Sequence, residues 1–501
     1  MAQPPRTVNA ADCLTRCPPS STIRRLSRRR DTILFETHKY LVFLALFFLA
    51  YHALHRSVRA QNVLIVVGSA IFYGWWDVRF LALLFVTAGV DYVAGLWLGS
   101  DSRLSPSARK LVLCASLATN LGILFVFKYF DFFASSFARA GELLGWHLEV
   151  PLLRAVLPVG ISFYTFQSMS YTIDVYRHEI EPERNAVTYF AFVSFFPHMV
   201  AGPIQRAHHL IGQLNRPRVL DAEHAREGVW LLCYGYFLKA VVADPAATFA
   251  DAAFRVDQPS GWTTILGTIA FAIQIYCDFW AYSIIARGSG RLLGVEFIWN
   301  FNQPYFATSL QDFWRRWHIS LSSWLRDYVY VPLGGNRRGR VRTYANLMVT
   351  MLLGGLWHGA AWNFVLWGLL HGVALAVERL YGEIRRVGRR PLPAVVGWAG
   401  TMAVVLVGWF LFRCRSWQMI AGMAGSLRQL QWSDDNGREV ASLVLIAAPV
   451  AVIEVWQYVA RDRLAPLQLG SLAFASLCGV LLFFTTSMFE RLHYVFIYFQ
   501  F

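Results

Sequence analysis

Two histidines stand among neighbours that could put an imidazole to chemical use. His358 lies in Gly354-Gly355-Leu356-Trp357-His358-Gly359, inside a stretch from Tyr344 to Val377 with no Asp, Glu, Lys or Arg. His318 lies in Asp312-Phe313-Trp314-Arg315-Arg316-Trp317-His318-Ile319-Ser320. A neutral imidazole near pH 7 can take the proton from a hydroxyl as that oxygen attacks an acyl carbonyl, then return it to the leaving group. A second polar residue can orient the imidazole or stabilise the oxyanion. No Gly-Xaa-Ser-Xaa-Gly motif precedes a helix, and no phosphate-binding loop or metal signature of the familiar kinds is present. Direct acyl transfer without an enzyme-bound intermediate is the economical chemistry. The plain alternative is a core histidine hydrogen-bonded to a neighbouring helix.

The elements that position these residues follow from length. A straight helix of 34 residues, from Tyr344 to Val377, would run about 50 Å, against a hydrocarbon core of about 30 Å. The chain must therefore break or turn, most naturally in the glycine-rich centre. Non-helical backbone at membrane depth is tolerated where protein buries it or water reaches it, so His358 is expected to line an internal cavity. The segment Gln303–Gly339 is too polar to span and too aromatic for a solvated loop. It reads as an amphipathic or re-entrant helix beside that cavity, ended by Pro332 and Gly334-Gly335, with Trp314, Trp317 and Tyr328 suited to an interface. The substrate-binding set expected from these segments is Trp314, Arg315, Arg316, Trp317, Ser320, Asn336, Arg337, Arg338, Trp357 and Asn363, with Arg337 and Arg338 on the loop after Gly334-Gly335 placed either to meet a phosphate-bearing donor or to serve topology and lipid contact.

The chain has 501 residues, 56% hydrophobic and only 15% charged, with apolar runs recurring from Tyr40 almost to the end. This predicts an all-α polytopic membrane protein, with about 11 to 13 transmembrane or re-entrant helices around a central cavity. Residues 1–32, with seven arginines, read as a disordered basic tail, and residues 33–501 as one membrane domain. The net charge of +15 sits in short clusters between apolar runs, which fits topology and contact with membrane lipid, not nucleic acid. Asn336–Arg342 carries four arginines and Arg379–Arg390 five; both flank the His358 stretch and belong on the cytoplasmic side. The seven cysteines are scattered without metal-ligand spacing and read as packing residues, Cys13 and Cys17 in the tail apart.

The chain also resembles the membrane-bound O-acyltransferase family, in its bacterial branch of alginate O-acetyltransferases. The resemblance rests on Ile71–Asp77, Pro158–Gln167, Phe196–Ile204, Asn300–Tyr305, Asp312–Ser320, Leu333–Arg337, Leu353–Gly359 and the ending Phe496-Ile497-Tyr498-Phe499. It implies an acyltransferase of the bacterial inner membrane in which His358 is the family's invariant histidine and His318 its second motif histidine. It further implies cytoplasmic acetyl-CoA as acyl donor, no bound cofactor, and a polysaccharide acceptor or a periplasmic acetyltransferase partner. After Tyr276-Cys277-Asp278-Phe279 the chain reads Trp280-Ala281-Tyr282-Ser283-Ile284, where relatives look like Ser-Gly-Tyr-Ser-Asp. Competing readings are transfer to peptidoglycan, D-alanyl transfer to another envelope polymer, modification of a small molecule, or, in another class, a transporter, channel or silent scaffold.

Overall fold

The computed structural model describes residues 35, 37–101, 103–200, 202–256, 258–385, 393–489, 494, 496 and 497. The tail 1–32 with Cys13 and Cys17, the arginines 386, 389 and 390 of the second basic loop, and Tyr498 and Phe499 lie outside the described residues. The described residues form helices and connecting segments without a strand. In chain order the helices are α1 His38–Ala53, α2 Val58–Leu98, α3 Pro106–Leu124, α4 Phe130–Leu143, α5 Ile161–Tyr176, α6 Ala186–Ser194, α7 Phe196–Met199, α8 Ala207–Leu214, α9 Ala222–Phe237 and α10 Asp244–Ala253. They continue with α11 Gly261–Leu292, α12 Leu310–Arg316, α13 Ile319–Leu325, α14 Arg340–His358, α15 Trp362–Arg385, α16 Ala394–Arg413, α17 Trp417–Ser426, α18 Asp434–Ala460 and α19 Ser471–Phe489. Among the described residues, 8 helices are long and apolar enough to cross a membrane, α3–α4 and α9–α10 each counting as one. The chain is a multi-pass membrane protein.

Local sequence explains where the helices start. Ser57, Ser105 and Ser260 each accept a backbone N–H in the first turn of α2, α3 and α11. Ser433 forms a reciprocal box with Asn436 at the start of α18. Two neighbouring apolar runs, Asn62–Trp76 and Phe80–Leu98, fuse into α2, which is broken at Asp77 by one extended residue (φ −163°, ψ 112°). The run Asn185–Gln205 instead splits into α6 and α7 at Phe195, just before Pro197.

The His358 stretch breaks once, as its length requires. α14 ends at His358, Gly359 is extended, and α15 starts at Trp362. Gly354 and Gly355 are helical. Their smallness serves packing: a Cβ on Gly355 would lie 2.2 Å from the Phe364 carbonyl oxygen of α15, and one on Gly368 would lie 2.5 Å from that of Met351 in α14. α14 and α15 are thus a hairpin in backbone contact.

The 303–339 segment departs from a single amphipathic helix. It forms α12 and α13, broken between them at Trp317 and His318, then a π-helical turn Arg326–Tyr330. Trp317 is no interfacial anchor; it is 1% exposed, packed against Phe301 and Trp409 at ring-centroid distances of 5.0 and 4.7 Å. Deep between α9, α10 and α11, buried Lys239 bridges Asp244 at 2.8 Å and Asp278 at 2.9 Å. The C-terminal segment docks on these charges: Lys239 donates to the Tyr494 carbonyl, Asp278 accepts the Ile497 N–H, and Phe496 stacks on Tyr282 at 3.9 Å.

Candidate active site

The two histidines arrive from different elements and meet. His358 is the last residue of α14, and His318 stands at the break before α13; their ring centroids are 6.3 Å apart. Both are buried, at 6% and 0% exposure. His318 meets Phe279 edge-on at 4.6 Å and Trp357 at 5.5 Å. His358 is enclosed by Trp357, Trp367 and Phe412, at 5.1, 5.1 and 5.3 Å. Neither ring nitrogen of His318 has a hydrogen-bond partner among the described residues, so aromatic walls, not a side-chain hydrogen bond, fix that ring.

The backbone does the rest. His318 has φ 43° and ψ 53°, a left-handed conformation that costs a non-glycine residue about 1–3 kcal/mol. The neighbouring bonds hold it there. Ile319 N–H donates to the Asn300 carbonyl at 2.8 Å, and Trp317 N–H to that of Phe313 at 2.8 Å. The Ser320 hydroxyl donates to Asn300 Oδ1 at 2.6 Å, and the Asn300 amide donates to Ser283 at 3.0 Å. Ser320 therefore acts on the site through Asn300.

A cavity of about 1120 Å³ leads to His358. Its wall descends α14 through Leu347, Thr350, Met351, Gly354 and His358, a spacing of three or four residues that marks one helix face. Its far end carries Asn336, Arg379 and Glu383, near the Arg340 end of α14, and Arg340 pairs with Glu383 at 3.4 Å. Arg340 and His358 are 18 residues apart on this helix, so His358 lies roughly 27 Å from that end.

Of the set expected from sequence, Trp314, Arg315 and Asn336 line the cavity. Trp357 flanks both imidazoles, its ring centroid 5.5 Å from that of His318 and 5.1 Å from that of His358. Arg316 is spent on Asp312 at 2.9 Å and on the Asn302 carbonyl at 3.3 Å. Asn363 donates to the Phe412 carbonyl at 3.1 Å and so buttresses a ring against His358. Arg337 and Arg338 are exposed and do not line the cavity. Besides Arg315, the charged lining consists of Arg326 and Arg379 with the carboxylates Glu378 and Glu383. Arg326 pairs with Asp327 and Arg379 with Glu383, whereas Arg315 has no ion pair among the described residues. Trp280, in the segment that departs from the family pattern, packs between Trp299 and Phe301 and stays off the lining.

Sequence reasoning gave no site role to Asn300, Phe279, Trp367 and Phe412, whose roles arise from contacts distant in sequence. It also passed over Lys128, the single charged residue between Lys110 and Asp131, whose isolation in an apolar run was a usable signal.

Residues 183–420 match the model of the membrane-bound O-acyltransferase family. A probable alginate O-acetylase AlgI of Pseudomonas putida is 40% identical over 85% of this chain and 87% of that protein. The corresponding protein of Azotobacter vinelandii is 38% identical over 86% of each chain. A peptidoglycan O-acetyltransferase of Helicobacter pylori is 34% identical, covering 78% of this chain and 80% of its own length.

Proposed function

The chain belongs to the membrane-bound O-acyltransferase family, and from that premise we propose that it moves acetyl groups from cytoplasmic acetyl-CoA toward hydroxyls of an extracytoplasmic polysaccharide such as alginate. That it is an O-acyltransferase follows from the family; donor, acceptor, inner-membrane location and periplasmic partners belong to the proposal. The carrying observation is a buried imidazole at the inner end of a cavity whose lining carries three arginines, Arg315, Arg326 and Arg379, beside two carboxylates, Glu378 and Glu383.

In this reading the end with Arg379 and the Asn336–Arg342 loop faces the cytoplasm. Coenzyme A brings several phosphate charges, which guanidinium groups hold by fixed charge and paired donors. Arg315 is the donor contact of choice because it lines the cavity without an ion pair among the described residues, whereas Arg326 and Arg379 on the same lining are each paired with a carboxylate. Arg337 and Arg338 are left to topology and lipid.

His358 then acts as general base. Its imidazole takes the proton of the attacking hydroxyl, the oxygen bonds to the acetyl carbonyl carbon, the carbon–sulfur bond breaks, and the proton passes to the departing thiolate. His318, 6.3 Å away, orients the hydroxyl or the acyl oxygen. The acceptor hydroxyl belongs to the polysaccharide or to a periplasmic partner that relays the group onward. The relative that acts on peptidoglycan makes that polymer the second acceptor to assay.

His358→Ala, compared with the parent chain in membranes supplied with radiolabelled acetyl-CoA and oligosaccharide, is expected to abolish transfer at unchanged abundance. Near-normal turnover in that variant would remove His358 from the chemistry.

A further inference from the structure

α14 ends inside the protein at the residue that carries the proposed chemistry, and the carbonyls of a buried helix end must find their partners in the protein. Two consecutive residues of another element serve them. The Tyr129 hydroxyl donates to the Leu356 carbonyl at 3.0 Å. Lys128 Nζ donates to the Trp357 carbonyl and to Ser162 Oγ, the latter at 3.2 Å. The same ammonium lies 5.7 Å from the centroid of the Trp357 ring, which packs against both His318 and His358. Both residues come from the π-helical turn Phe125–Tyr129 joining α3 to α4. A cation at a helix C-terminus also complements the partial negative charge there.

We propose that Lys128, seconded by Tyr129, is a positioning residue for acyl transfer: it caps the end of α14 and thereby sets the position of Trp357 and His358 in the site. This rests on His358 being the base. A lysine offers three donors around one point, so an ammonium reaches the Trp357 carbonyl and Ser162 together, and guanidinium is the one replacement that keeps both charge and multiple donors. Misplacing a reacting group by about 1 Å can cost on the order of 100-fold in rate.

The test uses membranes carrying the full-length chain, with acetyl-CoA titrated at saturating alginate oligosaccharide. Lys128→Met is expected to lower kcat about 10- to 100-fold while the acetyl-CoA KM stays within about twofold, and Lys128→Arg to recover much of the loss. A Lys128→Met kcat within about threefold of the parent, a raised KM at unchanged kcat, or an arginine variant no better than methionine would each overturn the assignment. Should Lys128→Met fail to accumulate, Tyr129→Phe removes a single hydroxyl and decides: a lowered kcat supports capping, and an unchanged one overturns it. His358→Ala runs beside them. If it retains turnover, the base assignment falls; if it is inactive while Lys128→Met is normal, only the role of Lys128 falls.

Discussion

Substituting Gly355 by alanine tests how closely the site depends on the α14–α15 hairpin. The new Cβ would lie 2.2 Å from the Phe364 carbonyl oxygen, 3.1 Å from its carbonyl carbon and 3.3 Å from Gly368 Cα. All three are backbone atoms of α15, so no rotamer change can relieve the overlap. Reaching the 3.4 Å at which ordinary contact begins requires the helices to part by about 1.2 Å locally. His358 is three residues further on, in the last turn of α14, and Trp367 beside it belongs to α15. A movement of about 1 Å between these helices is therefore expected to lower kcat by on the order of 100-fold. Overpacking should cost about 1–3 kcal/mol of stability besides. Initial rates of acetyl transfer, normalised to abundance and accompanied by thermal midpoints in detergent, read both effects. Gly422→Ala is the control, since nothing lies within 4 Å of its Cβ. A Gly355→Ala kcat within about threefold of the parent, at unchanged abundance, would show that the histidine does not depend on the hairpin spacing.

His318→Gly and His318→Ala should both lose more than about 100-fold in kcat, yet glycine should leave the protein about 1 kcal/mol more stable than alanine, because only glycine accepts φ 43° without strain. Rates and thermal midpoints measured together check this, and retained turnover in either variant would exclude the residue from the chemistry. For the donor, Arg315→Gln is expected to raise the acetyl-CoA KM several-fold with kcat nearly unchanged, while Arg337→Gln with Arg338→Gln should alter neither. The reverse pattern would move the donor phosphates to the exposed loop.

The membrane class was legible because burial in lipid leaves a coarse mark: long apolar runs and arginines between them. So was the need for a break between Tyr344 and Val377, which is a matter of length against thickness. Its position was less so. Glycine reads equally as a breaker and as a site of close approach, and here Gly355 serves approach while the break falls at Gly359. Trp317 illustrates a second limit. An indole among arginines suggests an interface, but its partner Trp409 lies on α16, and only the tertiary structure shows that the ring is enclosed. The arginines show a third: of the four expected from sequence only Arg315 lines the cavity, and Arg326 and Arg379, which line it as well, stand apart from the clusters that drew attention.

Several of the buried places where local sequence rules fail share a physical cause. The three π-helical turns among the described residues carry Lys128, Lys239 and Arg326, and the left-handed residues Gln303 and His318 bracket α12. In a membrane interior a polar side chain cannot turn to water, so its direction must be set by the backbone that carries it. An extra residue in a helical turn, or one residue at positive φ, re-aims a side chain without uncoiling the surrounding helix. His318 depends on this: neither ring nitrogen has a partner among the described residues, the Asn300 bonds to Ile319 and Ser320 hold its backbone, and the rings of Phe279 and Trp357 wall the imidazole. For His358 the corresponding supports are the α15 backbone against Gly355 and the cap from Lys128 and Tyr129. Strain and capping in this site are thus part of how two imidazoles are brought within 6.3 Å of each other, and substitutions at these supports should register in kcat before they register in donor affinity.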